Sequence, residues 1–386
     1  MAPTPALTDR FRRVPGRLAA ITLAALLVWI PAVMARAEPA GTQPASPALP
    51  AGLELSLGLT GVGQVASDSV DDRAPGLVTA SYDFTGRWEL LEAPGTSASR
   101  VGWLVEGGRP IGADRLANLT RRVGAGFGIN DDLASEPGAV TELWWQHRGR
   151  DDRWRLTIGK LDQTAYFDAN RFADDETRKF LATPLVNNPA IAFPDNGLGA
   201  NVRVKLAEGW TLRAGVGDAR GRATRTGFDS VGHGDLFAAA QVGIQPTPDQ
   251  ADSGHYRLLG WRSERAGASD RGLAISWDQP VTESLALFGR YGWAEGEITR
   301  FEQTATLGLA WPEPFDRPAD LFAVAGVWGE PSDPDRRDET LFEMFYRLRL
   351  SDTVEVTPDV QLILDPTANP DRDAVIVGGL RLQLLF

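Results

Sequence analysis

Apolar and polar residues alternate along most of this chain with a period of two. Between 353 and 364, Val354, Val356, Val360, Leu362 and Leu364 fall on one side, with Glu355, Thr357, Asp359 and Gln361 on the other. Between 339 and 350, Phe342, Met344, Tyr346, Leu348 and Leu350 oppose Glu343, Arg347 and Arg349. The same alternation sets Trp154, Leu156 and Ile158 against Arg153, Arg155 and Thr157, and Val202, Val204 and Leu206 against Asn201, Arg203 and Lys205. The final run places Ile376, Leu380, Leu382, Leu384 and Phe386 on one face and Arg381 and Gln383 on the other. Successive side chains of a strand point to opposite faces, so this period predicts strands with one apolar and one polar face.

About sixteen such strands are predicted, over 53–65, 77–91, 99–106, 139–148, 153–160, 197–206, 209–217, 235–244, 254–263, 271–279, 283–293, 301–311, 320–328, 339–350, 353–364 and 373–386. An even number of two-faced strands suits a closed membrane barrel, whose outside meets lipid and whose inside meets water. A soluble sandwich alternates as well, but buries its apolar face in a core. Loop lengths favour the barrel. Gly149-Arg150-Asp151-Asp152, Ala207-Glu208 and Ser351-Asp352 follow even strands, whereas 107–138 and 161–196, the two longest connections, follow odd ones. Outer-membrane barrels alternate short periplasmic turns and long outer loops in this way. Only 245–253, with Pro246 and Pro248, is longer than that alternation asks. Trp210, Trp277, Trp293, Trp311 and Trp328 fall at or near strand ends, as the aromatic girdles of a barrel require. The first strand is expected to pair with the last.

Composition and export features change the picture in one direction. Arg10, Arg12, Arg13 and Arg17 precede an uncharged stretch from Leu18 to Met34, and Ala35-Arg36-Ala37 offers a small-x-small cleavage site. Residues 1–37 therefore read as a secretory signal, 38–52 as a short N-terminal segment and 53–386 as one barrel domain. The stretch is marginally short for a membrane span, and no other segment approaches 18 apolar residues. There is no cysteine, which removes disulfides, zinc–thiolate sites and cysteine nucleophiles. Without residues 1–37 the chain holds 34 basic and 50 acidic residues, a net charge of −16, which argues against a nucleic-acid partner.

The 161–196 connection is too long for a structureless link. Its 174–181 stretch has helix-forming composition, and Pro184, Pro189 and Pro194 then predict an extended path. A sixteen-stranded barrel leaves an aqueous channel unless something narrows it, so this third outer loop is expected to fold inward. It is net acidic, while neighbouring strands carry Arg153, Arg155, Arg203, Lys205 and Arg213 on their polar faces. Opposed acidic and basic walls would set a transverse field across the constriction.

Several stretches resemble the carbohydrate-selective porins of Gram-negative outer membranes (OprB type). They are Thr141-Glu142-Leu143-Trp144-Trp145-Gln146, then Leu156 through Asp162 with Tyr166-Phe167-Asp168, and Phe193-Pro194-Asp195-Asn196-Gly197-Leu198-Gly199. Gly254-His255-Tyr256-Arg257-Leu258-Leu259-Gly260-Trp261 follows. The last are Glu339-Thr340 through Glu343 with Phe345-Tyr346, and Thr357-Pro358-Asp359-Val360-Gln361 with Asp365-Pro366. The resemblance runs in order from about 140 onward and is weak before it. It implies an all-β, sixteen-stranded antiparallel barrel passing sugars passively, embedded in outer-membrane lipid and lipopolysaccharide, as a monomer or homotrimer. Glu142, Trp144, Arg347 and Asp359 lie in matching motifs on polar faces; with Glu343 and the four arginines Arg153, Arg155, Arg203 and Arg213 they are the expected pore-lining residues.

A general diffusion porin without sugar preference is the nearest alternative, and a barrel enzyme a remoter one. Only His147, His233 and His255 are available as histidine general bases, and only His233 borders an outer loop. The acidic clusters lack calcium-loop spacing. No cofactor or metal is expected.

Overall fold

The chain is described by a computed structural model over residues 50–70, 76–91, 97–111, 119–131, 138–228, 230–250 and 253–386. The expected export signal at 1–37 lies outside the described residues. Strands form where the period-two pattern falls: β1 Leu53–Ala66, β2 Gly76–Leu91, β3 Ala98–Ile111, β4 Ala139–Arg148, β5 Trp154–Leu161, β6 Gly197–Ala207, β7 Trp210–Asp218 and β8 Leu236–Ile244. They continue with β9 His255–Arg265, β10 Ala268–Pro280, β11 Ala286–Glu295, β12 Phe301–Pro312, β13 Leu321–Pro331, β14 Glu339–Arg349, β15 Val354–Leu364 and β16 Ala374–Leu385. Each pairs antiparallel with its sequence neighbours, and β1 pairs with β16 from Gly58↔Leu385 to Ala66↔Val377, closing a sixteen-stranded barrel. Closure satisfies every strand edge, which a membrane demands because lipid offers no hydrogen bonds.

Predicted strand ends agree within three residues, with one exception. β3 runs five residues further, to Ile111, because Gly107, Gly108, Arg109 and Pro110 still pair with β2. A smaller correction concerns Arg153, which stands exposed in the β4–β5 turn rather than on β5.

The apolar side of each strand is the outer one. Leu143, Trp145, Trp154, Ile158, Leu258, Leu273, Leu307 and Phe342 are exposed large hydrophobics, while the residues beside them along the strand are less so. The five tryptophans expected in the girdles all lie on this outer side. Trp144 and Trp261 face inward, and Trp261 is buried. No helix among the described residues is long and apolar enough to cross a membrane.

The longest connections fall at one end as expected, with departures at β11–β12, where 296–300 is short, at β12–β13, where 313–320 is long, and at β9–β10. There a two-residue hairpin turn, Ala266-Gly267, sits at the long-loop end; both residues have positive φ (55° and 91°), as a tight primed turn requires. Two short helices lie in the long connections: α1 Leu119–Val123 and α2 Thr183–Val186. The helix predicted over 174–181 is absent, and the turn of helix comes immediately after it. Pro184 is tolerated there because the first turn of a helix has no use for its missing N–H. In 174–181 itself the Asp175 carboxylate accepts from the backbone N–H groups of Thr177 and Arg178, both at 3.0 Å. The carbonyls of Glu176, Arg178 and Lys179 are taken by arginines from the barrel wall.

Buried apolar side chains collect where the long connections meet the barrel. Phe127, Ile129, Phe172, Phe180 and Leu185 pack with Phe288, Phe301, Leu341, Phe345 and Val377. A second cluster joins Phe167 and Ile191 to Phe237, Leu259 and Trp261.

Candidate functional site

Two sets of inner-face side chains divide the barrel interior. The first lies on β10 to β16 and is bonded to the connecting segments. Arg290 on β11, 4% exposed, donates to the carbonyls of Leu185 (3.0 Å), Val186 (3.2 Å), Asp168 (3.0 Å) and Ala173, and its Nε lies 3.3 Å from the Asp168 carboxylate. Glu343 accepts from the backbone N–H groups of Leu181 (2.6 Å) and Ala182 (2.8 Å). Arg381 donates to the carbonyls of Glu176 and Lys179, and Glu355 receives both forks of Arg178 at 2.7 and 3.1 Å. The preceding long connection is held similarly. Glu339 accepts from Gly126, Phe127 and Thr367 N–H groups at 2.7 to 2.8 Å, and Gln64 and Gln361 donate to the Ile129 carbonyl. Charged groups make the stronger hydrogen bonds, and these are withdrawn from water, so each anchor is worth more than a surface contact.

This arrangement bears on three residues expected to line the pore. Glu343 and Asp359 are 1% and 3% exposed, and Arg347 donates to the Arg178 and Ala319 carbonyls beside Glu355. Glu343 and Asp359 are closed in by protein, while Arg347 is engaged by loop carbonyls and keeps partial exposure. Sequence alternation places such residues on the polar face but cannot say what fills the space opposite. Arg290, Glu339 and Arg381 escape sequence reasoning for the same reason; the signal available is a charge on the inner face of a strand.

The second set lies on β2 to β9 and leaves its charges nearer water. Glu142 and Trp144 are both partly exposed, with the indole N–H donating to Glu142 at 3.0 Å and the Arg100 guanidinium 5.6 Å above the ring. Gly102 opposite gives the indole its place, since a Cβ there would lie 2.2 Å from the ring. Asp83 and Glu106 face each other across β2 and β3, close to Glu142, which pairs with Leu104. Toward the short-turn end the wall becomes basic. Arg155 pairs with Arg203 across β5 and β6, and Arg203 with Arg213 across β6 and β7. Arg155, Arg203 and Lys205 lie 2.9, 3.2 and 3.2 Å from Asp152 in the β4–β5 turn. Burial works against the Asp152 carboxylate, yet hydrogen bonds from Arg155 and Lys205 hold it below its ordinary value of 3.8.

Arg148 pairs with Arg155, and Glu142 sits six residues along β4 from Arg148, about 20 Å at strand rise. The acidic patch and the basic row are thus separated along the channel axis. The acidic residues of 161–196 turn elsewhere than expected: Asp168 to Arg290, Asp174 to Lys179, and Asp162 to Thr164. Burial pushes the Asp168 carboxyl up, a rise that Arg290 opposes. The group of 161–196 that meets the basic row is Tyr166, whose ring lies 5.6 Å from the Arg213 guanidinium. Burial pushes the Tyr166 phenol up to about 12, so it stays a neutral group.

The histidines are apart. His147 bonds Ser99 between Trp145 and Trp154, His233 is exposed in a turn, and His255 contacts Asp278 at 2.9 Å beside Arg171. No group of three or more metal-ligating side chains occurs among the described residues.

Known proteins share this framework. The model of the carbohydrate-selective porin, OprB family, matches residues 122–269 and 263–386. Porin AaxA of Chlamydia abortus is 22% identical over 316 residues, covering 76% of this chain and 67% of that protein; Porin AaxA of Chlamydia muridarum is 23% identical, covering 67% and 58%. The chain thus spans 58% to 67% of the length of these relatives. The high-pH structure of Pseudomonas putida OprB superposes with a TM-score of 0.74 at 16% identity, covering 87% of this chain and 94% of that one. The low-pH structure of the same protein gives 0.56 at 14%. A closed sixteen-stranded barrel with a lipid-facing apolar exterior, matched by this family over most of its length, is a porin of the bacterial outer membrane, and the chain belongs to the carbohydrate-selective porin, OprB family.

Proposed function

We propose that this porin passes sugars by passive diffusion through a channel whose bore is set by the 161–196 loop folded into the lumen. The observation that carries the reading is the set of bonds from inner-face residues Arg290, Glu343, Arg347 and Arg381 to the loop's backbone. Inner-face groups reach only what lies inside the barrel. With the loop bonded to β10 to β16 and packed on β8 and β9 near its own end, the remaining passage runs past Glu142, Trp144, Arg100 and the basic row of β5 to β7. A sugar crosses such a passage by exchanging water for donors, acceptors and an aromatic face, and weak binding lets it leave. Glu142, Trp144, Arg155, Arg203 and Arg213 are the wall residues assigned to solute contact. Glu343 and Arg347 are assigned to holding the loop, Asp359 to a bond with Gln361 beside it, and Arg153 to the turn.

Liposome swelling with glucose or a disaccharide, compared with an uncharged amino acid of similar size, tests the reading. Faster sugar entry supports it; equal entry leaves a general diffusion porin. The same assignment includes export with removal of residues 1–37, which N-terminal sequencing of the membrane-inserted protein checks. No catalytic step is assigned. The one histidine–serine pair among the described residues, His147 with Ser99, sits beside the outward Trp145 and Trp154, away from the channel.

A further inference from the structure

Neutral sugars do not require the concentration of positive charge found near the short-turn end. Arg155, Arg203 and Arg213 form one cross-strand row over β5, β6 and β7, each directly opposite the next. Like charges in that position oppose strand pairing. Lys205 and Arg257 add to the row, lining one cavity with Arg203 and Arg213. Among the described residues, Asp152 lies beside Arg155, Arg203 and Lys205, Asp278 is shared by Arg257 and Arg171 at 3.3 Å each, and Glu208 and Asp249 stand at the rim of the same cavity without an ion pair to the row. Arg213 has no carboxylate partner among the described residues; its guanidinium lies over the Tyr166 ring instead. Around Arg203, Lys205, Arg213 and Arg257 lies a cavity of about 450 Å³, also lined by Gln241 and His255. That volume falls within the range of small-molecule sites.

Resting on the sugar-porin reading above, we propose that this row is a binding station for acidic sugars, monosaccharides bearing a carboxylate such as aldonates and uronates. A planar guanidinium fork matches a carboxylate with two parallel hydrogen bonds, and Arg203 and Arg213 stand side by side to supply them. The hydroxyls meet Gln241 and the Tyr166 face. The anion relieves the mutual repulsion of the row, so the unfavourable pairing of three arginines becomes useful when solute is present. Asp83, Glu106 and Glu142 stand nearer the long-loop end and do not neutralise the station.

The test uses the whole porin in planar bilayers, with block of ion current by gluconate and by glucose read as apparent binding constants. Gluconate is expected to bind about tenfold tighter than glucose, and Arg213→Gln to reduce that ratio about fivefold. Arg203→Gln gives the same readout should Arg213→Gln fail to insert, and Arg213→Lys, which keeps charge but not the fork, should give an intermediate ratio. Equal block by the two solutes in the unaltered porin overturns the proposal and leaves neutral-sugar passage standing. A ratio unmoved by both glutamine variants also overturns it. Entry of neither sugar in the liposome swelling assay overturns the underlying sugar-porin reading as well.

Discussion

The two halves of this barrel use the same strand pattern for opposite ends. On β10 to β16 the inner face is apolar or buried and charged: Phe288, Leu341, Phe345 and Val377 pack against loops, and Arg290, Glu339, Glu343 and Arg381 bond to loop backbone. On β2 to β9 the inner face keeps Asp83, Glu142, Arg155, Arg203 and Arg213 partly open. Both halves alternate perfectly well as membrane strands. What separates them is how many of the charged groups are bonded to loop backbone and buried, since loop residues Phe167 and Ile191 also pack on β8 and β9 but leave Arg155, Arg203 and Arg213 partly exposed. A charge facing protein must be matched by hydrogen bonds; one facing water can be left for a solute.

The comparison is broken most directly by emptying the filled half. Deleting 174–181 removes the carbonyls that Arg381 and Arg347 hold, and single-channel conductance should rise by about twofold or more. Unchanged conductance would place the loop outside the current path. Arg290→Met strands several buried carbonyls and the Asp168 carboxylate, at a cost of about 3–5 kcal/mol. The expected sign is a noisier, larger conductance and a lower temperature of heat-modifiable migration, whereas a silent variant would mean the anchor is redundant. Glu343→Ala orphans the Leu181 and Ala182 N–H groups, costing about 1–3 kcal/mol for each left unsatisfied. It should shift migration temperature in the same direction, and Glu343→Gln should recover part of the loss.

The open half is sharpened by changing its charge. Asp152 has a lowered pKa, so its ionised form stabilises the fold above 3.8 and that contribution fades as pH falls through the lower folded value. Below pH 3.8 the cations of Arg155, Arg203 and Lys205 progressively lose their partner, and anion-over-cation selectivity from reversal potentials should increase. Asp152→Asn should produce the same increase at neutral pH, by about twofold or less, since a partly exposed ion pair is screened. Selectivity that is flat with both changes would detach the basic row from the conducting path.

Strand number, order and face are legible in the amino-acid sequence, because alternation is local and closure between β1 and β16 follows from antiparallel neighbours in an even count. The outward position of Trp210, Trp277, Trp293, Trp311 and Trp328 is legible for the same reason. Less is legible in the long connections. The 174–181 stretch has helical composition but is not helical, because arginines from β14 and β16 compete for its carbonyls. Those arginines are more than 160 residues away in sequence, and no local propensity records them.

The charged residues divide along that line. Sequence by itself determined that Glu142, Arg155, Arg203, Arg213, Glu343, Arg347 and Asp359 share the polar face of their strands, since a period of two leaves no other choice. Only the tertiary structure decided that Glu343 and Asp359 are buried and Arg347 is bonded to loop backbone, while Arg155, Arg203 and Arg213 stay partly exposed. The physical reason is that a strand's pattern sets direction, whereas burial depends on which distant segment occupies the volume in that direction.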